Sequence, residues 1–234
     1  MILDLEKHKI AVIGLGYVGL PLAVELGKKY KTIGFDINSD RIKSLNSGFD
    51  STNELSEEDI STSKGISFSN NIEDITNATI YIVSVPTPID SQNNPDLSPL
   101  LNAARMISKL LDKNNLVIFE STVYPGCTEE ECVPILEKGS NLEYNVDFFC
   151  GYSPERINPG DKEHTLIDIV KVISGSSEKS KEWINNFYST IIDAGTFVAN
   201  TIKVAEAAKV IENTQRDINI ALINELSIIF SKIG

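Results

Sequence analysis

Gly14-Leu15-Gly16-Tyr17-Val18-Gly19 follows the apolar run Lys9 to Ile13 and opens a helical stretch from Leu20 to Lys29. The run before it reads as a buried parallel strand. Pro21 falls in the first turn of the helix, where proline is tolerated. Thr32-Ile33-Gly34-Phe35-Asp36 then supplies a second strand, which completes one βαβ unit. A G-x-G-x-x-G pattern alone is a weak signal, but here each glycine has a task. Gly14 permits the tight turn, Gly16 lets the backbone approach a pyrophosphate, and Gly19 allows close helix–strand packing, with Tyr17 and Val18 completing the loop. The helix N-terminus presents N–H groups and partial positive charge to phosphates. Asp36, 22 positions after Gly14, stands where a carboxylate accepts hydrogen bonds from ribose hydroxyls and repels a 2′-phosphate. The cofactor expected is therefore NAD. Arg41 is close enough to stack on adenine or touch the ribose, which keeps NADP open.

The rest of the chain continues the alternation. Thr79 to Val85 is an apolar, β-branched run stopped by Pro86-Thr87-Pro88, and Ser98 to Leu111 has helical spacing. Leu116 to Phe119 is a further buried strand, and Val146–Cys150, Val170–Ile173 and Thr196–Val198 are strand candidates. An amphipathic helix carrying Trp183, Ile184, Phe187 and Tyr188 separates the last two. Repeated βα units predict an α/β, Rossmann-type, doubly wound and mainly parallel sheet with helices on both faces. From about Thr201 to Lys232 no proline or glycine interrupts a helical apolar pattern, and Gly234 is placed to cap it. The chain thus divides into an NAD-binding domain over residues 1–200 and a long central helix over residues 201–234.

Composition narrows the function classes. The chain has 234 residues and a formal net charge of −12, which argues against nucleic acid or anionic membrane as the main partner. No run approaches the roughly 18–20 apolar residues of a bilayer span, and the N-terminus lacks the features of a signal peptide. A cytoplasmic protein is the simplest expectation. Cys127, Cys132 and Cys150 are an odd set without a C-x-x-C pair, so they read as reduced thiols, with no metal site. With His8 and His164 the only histidines, an Asp–His catalytic pair has few places to sit.

Beyond the nucleotide turn, longer motifs stand in order. They are Gly14 through Ala23, Val85-Pro86-Thr87-Pro88, Glu120-Ser121-Thr122-Val123-Tyr124-Pro125-Gly126, Tyr152 through Asp161 (Tyr-Ser-Pro-Glu-Arg-Ile-Asn-Pro-Gly-Asp), and the helix from Glu206 through Glu225. Together they resemble the UDP-glucose/GDP-mannose dehydrogenase family, over essentially the whole chain. The Ser-Pro-Glu-Arg-Ile-Asn form is most similar to the branch acting on UDP-N-acetylhexosamines, the galactosamine and glucosamine 6-dehydrogenases of capsule and O-antigen synthesis. The mannosamine enzymes are its neighbours. The resemblance implies two NAD-dependent steps that take the sugar C6 alcohol to a carboxylate.

It also implies roles for single residues. Thr87 and Thr122 follow successive strands and face the NAD crevice, Thr122 with the nicotinamide half and an ordered water. On the residues alone, both serve equally well as threonines that close turns. Glu155 is implied as the general base that activates water for thioester hydrolysis; without the family it reads as half of a surface Glu–Arg pair. Arg156 and Ile157 are implied to contact the sugar or its diphosphate. Glu206, Lys209, Asn213 and Arg216 are spaced three, four and three, so they share one helical stripe. Lys209 and Asn213 are implied to stabilise the oxyanion as hydride leaves, with Arg216 completing the substrate contacts. The bland alternative is a solvated face of a long amphipathic helix.

The chain departs from the family in two respects. The second oxidation uses a cysteine nucleophile in a Gly-Gly-His-Cys-like segment beyond the central helix, and no such segment occurs here. Also missing is a second α/β domain for the uridine diphosphate. The expectation is an N-terminal part of a longer dehydrogenase, able to bind NAD and to dimerise through its long apolar helix, but not to complete the four-electron oxidation. Two other readings remain. One is a β-hydroxyacid-type dehydrogenase, which shares the long helix and a Lys-x-x-x-Asn pair. The other is a non-catalytic NAD-sensing module, which fits the missing cysteine.

Overall fold

The computed structural model describes residues 8–155 and 166–234. Strands β1 (Lys9–Ile13), β2 (Lys31–Phe35), β3 (Ile66–Ser69), β4 (Ile80–Val83), β5 (Leu116–Phe119), β6 (Phe149–Tyr152), β7 (Lys171–Gly175) and β8 (Thr196–Val198) form one sheet in the order β3-β2-β1-β4-β5-β6-β7-β8. Every neighbouring pair is parallel except β6 and β7, which run antiparallel through Gly151–Gly175 and Tyr152–Ser174. The predicted doubly wound sheet is therefore confirmed.

Helices cover both faces. On one side α1 (Gly19–Gly27), α2 (Ser39–Asn46) and α6 (Glu178–Ser189) pack on Ile10, Val12, Ile80, Ile82, Leu116 and Ile118. On the other, α4 (Ser98–Ser108) and α5 (Val133–Ser140) pack on Ala11, Ile13, Tyr81, Val83, Val117 and Phe119. Successive strand residues point to opposite faces, which is why strands buried on both sides read as unbroken apolar runs. The short helix α3 (Glu57–Thr62) leads into β3 and begins at a capping box between Ser56 and Asp59.

Several boundaries move from the sequence expectation. The strand expected over Val146–Cys150 starts at Phe149, because the backbone before it closes a turn: Asn145 has φ +63°, and Val146 and Asp147 both donate to the Glu143 carbonyl. The stretch between Cys127 and Cys132 is a π-helical turn, Thr128–Cys132, ahead of α5. The last helix, α7 (Ile202–Ile233), spans 32 residues and is capped at its start by the Thr201 hydroxyl, which accepts from the Val204 N–H. At about 1.5 Å per residue it is roughly 48 Å long. Ile202, Ala205 and Glu206 are buried, and nearly all residues beyond them are exposed.

Candidate functional site

Strand order reverses between β1 and β4, the position at which open α/β sheets bind ligands beyond the carboxyl ends of their strands. The glycine turn lies at the end of β1. Gly14 has φ +92°, and a Cβ on it would stand 3.1 Å from the Ser84 backbone. A Cβ on Gly19 would overlap the Gly14 carbonyl oxygen and Ser84 Oγ, so only glycine lets α1 approach this closely. Gly16 is different, since a Cβ there meets nothing within 4 Å. Its open backbone is a cradle of the kind a pyrophosphate fills. No side chain caps the N-terminus of α1, and its first turn holds no carboxylate, which suits an anion. Tyr17 and Val18 sit on the turn, Tyr17 about half exposed.

Asp36 supports the turn from the end of β2. Its Oδ2 accepts from the Leu15 N–H and its Oδ1 from the Asn38 N–H, both at 2.9 Å. Each oxygen keeps a lone pair for a ribose hydroxyl. Arg41, on the first turns of α2, is buried; its Nε–H donates to the Leu15 carbonyl at 2.9 Å. Its Nη1 contacts Asp50 Oδ1 at 2.7 Å and Ser51 Oγ at 2.9 Å. The Leu15 backbone is thus held on two successive peptide groups, by Asp36 on its N–H and by Arg41 on its C=O.

Thr87 follows β4, on the opposite side of the switch point from Gly14. Its Oγ1 is buried with no hydrogen-bond partner. Such a group costs about 1–3 kcal/mol in the empty fold, and it marks a place where a ligand's polar group belongs. Glycine cradle, uncapped helix end, ribose carboxylate and orphaned hydroxyl together fit a dinucleotide.

Three further segments meet beyond the ends of β5 and β6. The turn after β5 carries Thr122, which is exposed. It is anchored by Ser121, whose hydroxyl donates to the Val85 carbonyl at 2.6 Å and whose own carbonyl accepts from the Tyr152 hydroxyl at 3.1 Å. Glu206 is fully buried and ties the start of α7 to this loop, accepting the Gly126 N–H at 2.5 Å and the Thr128 N–H at 2.9 Å. Burial pushes its carboxyl up, and the two backbone donors only partly offset this. One turn further along α7, the Lys209 ammonium donates to the Glu155 carbonyl. Glu155 is buried, which removes the surface-pair reading of it.

The four-residue stripe on α7 therefore splits. Glu206 is a buried backbone anchor, Lys209 is half-buried against Glu155, and Asn213 and Arg216 are exposed on the following turns, with Arg216 pairing to Glu212 at 3.3 Å. Arg156 and Ile157 lie outside the described residues.

Sequence reasoning missed other supports. Ser84 Oγ lies 2.8 Å from the Gly14 carbonyl and fastens the glycine turn to β4. Glu120 and Lys171 form a buried ion pair at 3.0 Å, and the Tyr188 hydroxyl also donates to Glu120. Burial, then the neighbouring carboxylate, push the Tyr188 phenol well up. A serine and a glutamate ending apolar strands are the only local signals these residues offer. Cys127, Cys132 and Cys150 are free and buried; for Cys132 a hydrogen bond with Cys127, then burial, push the thiol up, so it stays protonated.

The chain is similar to known proteins along nearly its whole length. A family model described as the UDP-glucose/GDP-mannose dehydrogenase family, NAD binding domain, matches residues 8–192. A UDP-N-acetyl-D-glucosamine 6-dehydrogenase of Pseudomonas aeruginosa is 59% identical over 230 residues, which cover 98% of this chain and 54% of that protein. Protein CapL of Staphylococcus aureus is 57% identical over 97% of this chain and 53% of its own length. Among solved structures, a UDP-D-ManNAc dehydrogenase from Pyrococcus horikoshii superposes with TM-score 0.86 at 35% identity, covering 94% of this chain and 53% of that one. The chain spans about half the length of the curated relatives it matches.

Proposed function

The chain belongs to the UDP-glucose/GDP-mannose dehydrogenase family and carries its NAD-binding domain, and from that premise we propose that it serves a UDP-N-acetylhexosamine 6-dehydrogenase. In this reading the enzyme oxidises the sugar C6 alcohol to a carboxylate in two hydride transfers. It acts as a cytoplasmic homodimer in the synthesis of surface-polysaccharide precursors. When bound, NAD accepts the hydride. The observation that carries the reading is the meeting of Lys209 and Glu155, residues 54 positions apart, one turn along α7 from the carboxylate that holds the loop after β5.

The chain's own groups divide the work. Gly14, Gly16 and Gly19 shape the phosphate cradle, with Tyr17 and Val18 in the loop. Asp36 takes the ribose hydroxyls, and Thr87 and Thr122 stand along the crevice. Lys209 holds positive charge near the reacting oxygen, where it favours an alkoxide over the alcohol, and Asn213 adds an amide donor on the same face. Glu155, as general base, takes a proton from water in this reading. Arg156, Ile157 and Arg216 are the proposed contacts to sugar and diphosphate. The three thiols of this chain are buried, so the nucleophile for the second oxidation is assigned to a cysteine that is none of them.

The test is a two-part assay. The 234-residue chain titrated with NADH should bind it, and with NAD and UDP-GlcNAc should yield no uronate. The enzyme carrying this sequence together with the rest of a full-length dehydrogenase should release two NADH per UDP-N-acetylhexosamine and discriminate against UDP-glucose. Failure to bind NADH would remove the catalytic reading, and uronate from the 234-residue chain alone would remove the external nucleophile.

A further inference from the structure

Among cations near the ribose site, Arg41 is the one whose engagement decides what it is able to recognise. It lies five residues beyond Asp36, and its Nε–H donates to the carbonyl of Leu15, the residue whose own N–H donates to Asp36. An arginine in this neighbourhood is what accommodates the 2′-phosphate of NADP in dinucleotide folds. Here the guanidinium is turned into the protein. The Arg41 side chain is 8% exposed and its partner Asp50 fully buried, 2.7 Å away. Ser51 and Thr52 hydroxyls flank the same guanidinium at 2.9 and 3.4 Å.

Asp50 is itself immobilised. Its Oδ1 accepts from the Thr52 N–H (2.9 Å) and hydroxyl (2.6 Å), and its Oδ2 from the Glu54 and Leu55 N–H groups, both at 3.0 Å. The carboxylate thus stays satisfied and in place whether or not Arg41 is present. Its grip on the guanidinium is set by the loop, not by the arginine.

We propose that Asp50 is a specificity-determining residue, which enforces NAD over NADP by holding the Arg41 guanidinium away from the position of a 2′-phosphate. Asp36 repels the phosphate, and Asp50 withholds the cation that would compensate for it. The two carboxylates act on the same discrimination, Asp36 at the Leu15 N–H and Asp50 through the arginine that holds the Leu15 carbonyl. Arg41 then works as a positioning residue for the glycine turn, which both cofactors need equally.

Fluorescence titration of the chain with NADH and with NADPH tests this, with circular dichroism to establish folding. In Asp50→Asn the affinity ratio NADPH/NADH should rise about tenfold as the guanidinium is freed for the phosphate. In the double variant Asp50→Asn/Arg41→Gln the ratio should return to the wild-type value. Arg41→Gln alone leaves Asp50 its four loop hydrogen bonds, so it is readable even if D50N does not fold. It should weaken both cofactors together and leave the ratio within about twofold. A folded D50N with an unchanged ratio, a ratio still raised in the double variant, or a ratio that falls severalfold in R41Q would each overturn the proposal. The wild-type chain's binding of NADH tests the cofactor site itself, so its failure is distinguishable from a failure of the ratio.

Discussion

Gly16 and Gly19 belong to one motif, yet they act on different quantities. Gly19 is needed for the fold, because its Cα hydrogen faces the Gly14 carbonyl and the Ser84 hydroxyl without room for a methyl group. Gly16 is not crowded by the protein, and its φ is not in the left-handed region. Gly16→Ala should therefore leave stability to urea within about 0.5 kcal/mol while weakening NADH binding at least about tenfold, since the added methyl group occupies the pyrophosphate's approach. Gly19→Ala should cost about 1–3 kcal/mol or more of stability through overpacking and weaken binding as a consequence. Matched urea melts and NADH titrations separate the two. Equal losses of stability in both variants would show that Gly16 is structural after all.

At the scale of elements, the start of α7 is fastened to the loop beyond the carboxyl end of β5 by one buried carboxylate. Glu206 receives the N–H groups of Gly126 and Thr128, and the Lys209–Glu155 contact lies one turn beyond. Hydrogen bonds to a charged group are worth about 1.5–3 kcal/mol each, and a glutamine at this position would keep one acceptor and present an amide to the other donor. Glu206→Gln should lower unfolding free energy by about 1.5–3 kcal/mol, with Glu212→Gln, further along the same helix, within about 0.5 kcal/mol of wild type. Urea denaturation at constant m-value measures both. Indistinguishable midpoints would mean that α7 is held by its apolar contacts alone, through Ile202 and Ala205. The reversed strand β7 has a comparable fastening, since Lys171 at its start reaches Glu120 at the end of β5, and Tyr188 of α6 closes the group.

At the scale of the molecule, the sheet and its two helical layers leave α7 projecting with its apolar side chains in solvent. Ile218, Leu222 and Ile229 are 60%, 54% and 47% exposed, and their spacing sets them along one stripe. Apolar exposure of this extent marks an interaction surface, and a helix of this length supplies the contact that a two-fold dimer requires. The dimer proposed above should appear in sedimentation equilibrium at micromolar concentration. Ile218→Glu/Leu222→Glu/Ile229→Glu should return the chain to a monomer while leaving NADH affinity unchanged, because these side chains lie in solvent beyond the start of α7, whereas the glycine turn and Asp36 end β1 and β2. A monomeric wild-type chain would end the proposal.

The features legible in the sequence are those whose causes are local. A strand, a glycine turn, a helix and an acidic residue within about 30 positions form a βαβ unit because each is specified by its own composition and the connection must be short. Strands buried on both faces announce themselves as apolar runs, and α7 follows from 3.6-residue periodicity without a breaker. Shorter elements escaped because their cues are weaker. In β3, Ile66 and Phe68 alternate with serines over only four residues, and α2 carries just Ile42 and Leu45 as its apolar buried positions. What the tertiary structure alone decided is which polar groups leave water together. Whether Arg41 faces a ligand or Asp50, whether Glu206 joins a catalytic stripe or anchors a loop 78 residues away, and whether β7 runs with or against β6 are settled by contacts between distant segments. Helical spacing fixes only which side chains share a face. The energy of a buried charge depends on the partners that the rest of the chain brings to it, and that information is not contained in any single stretch of residues.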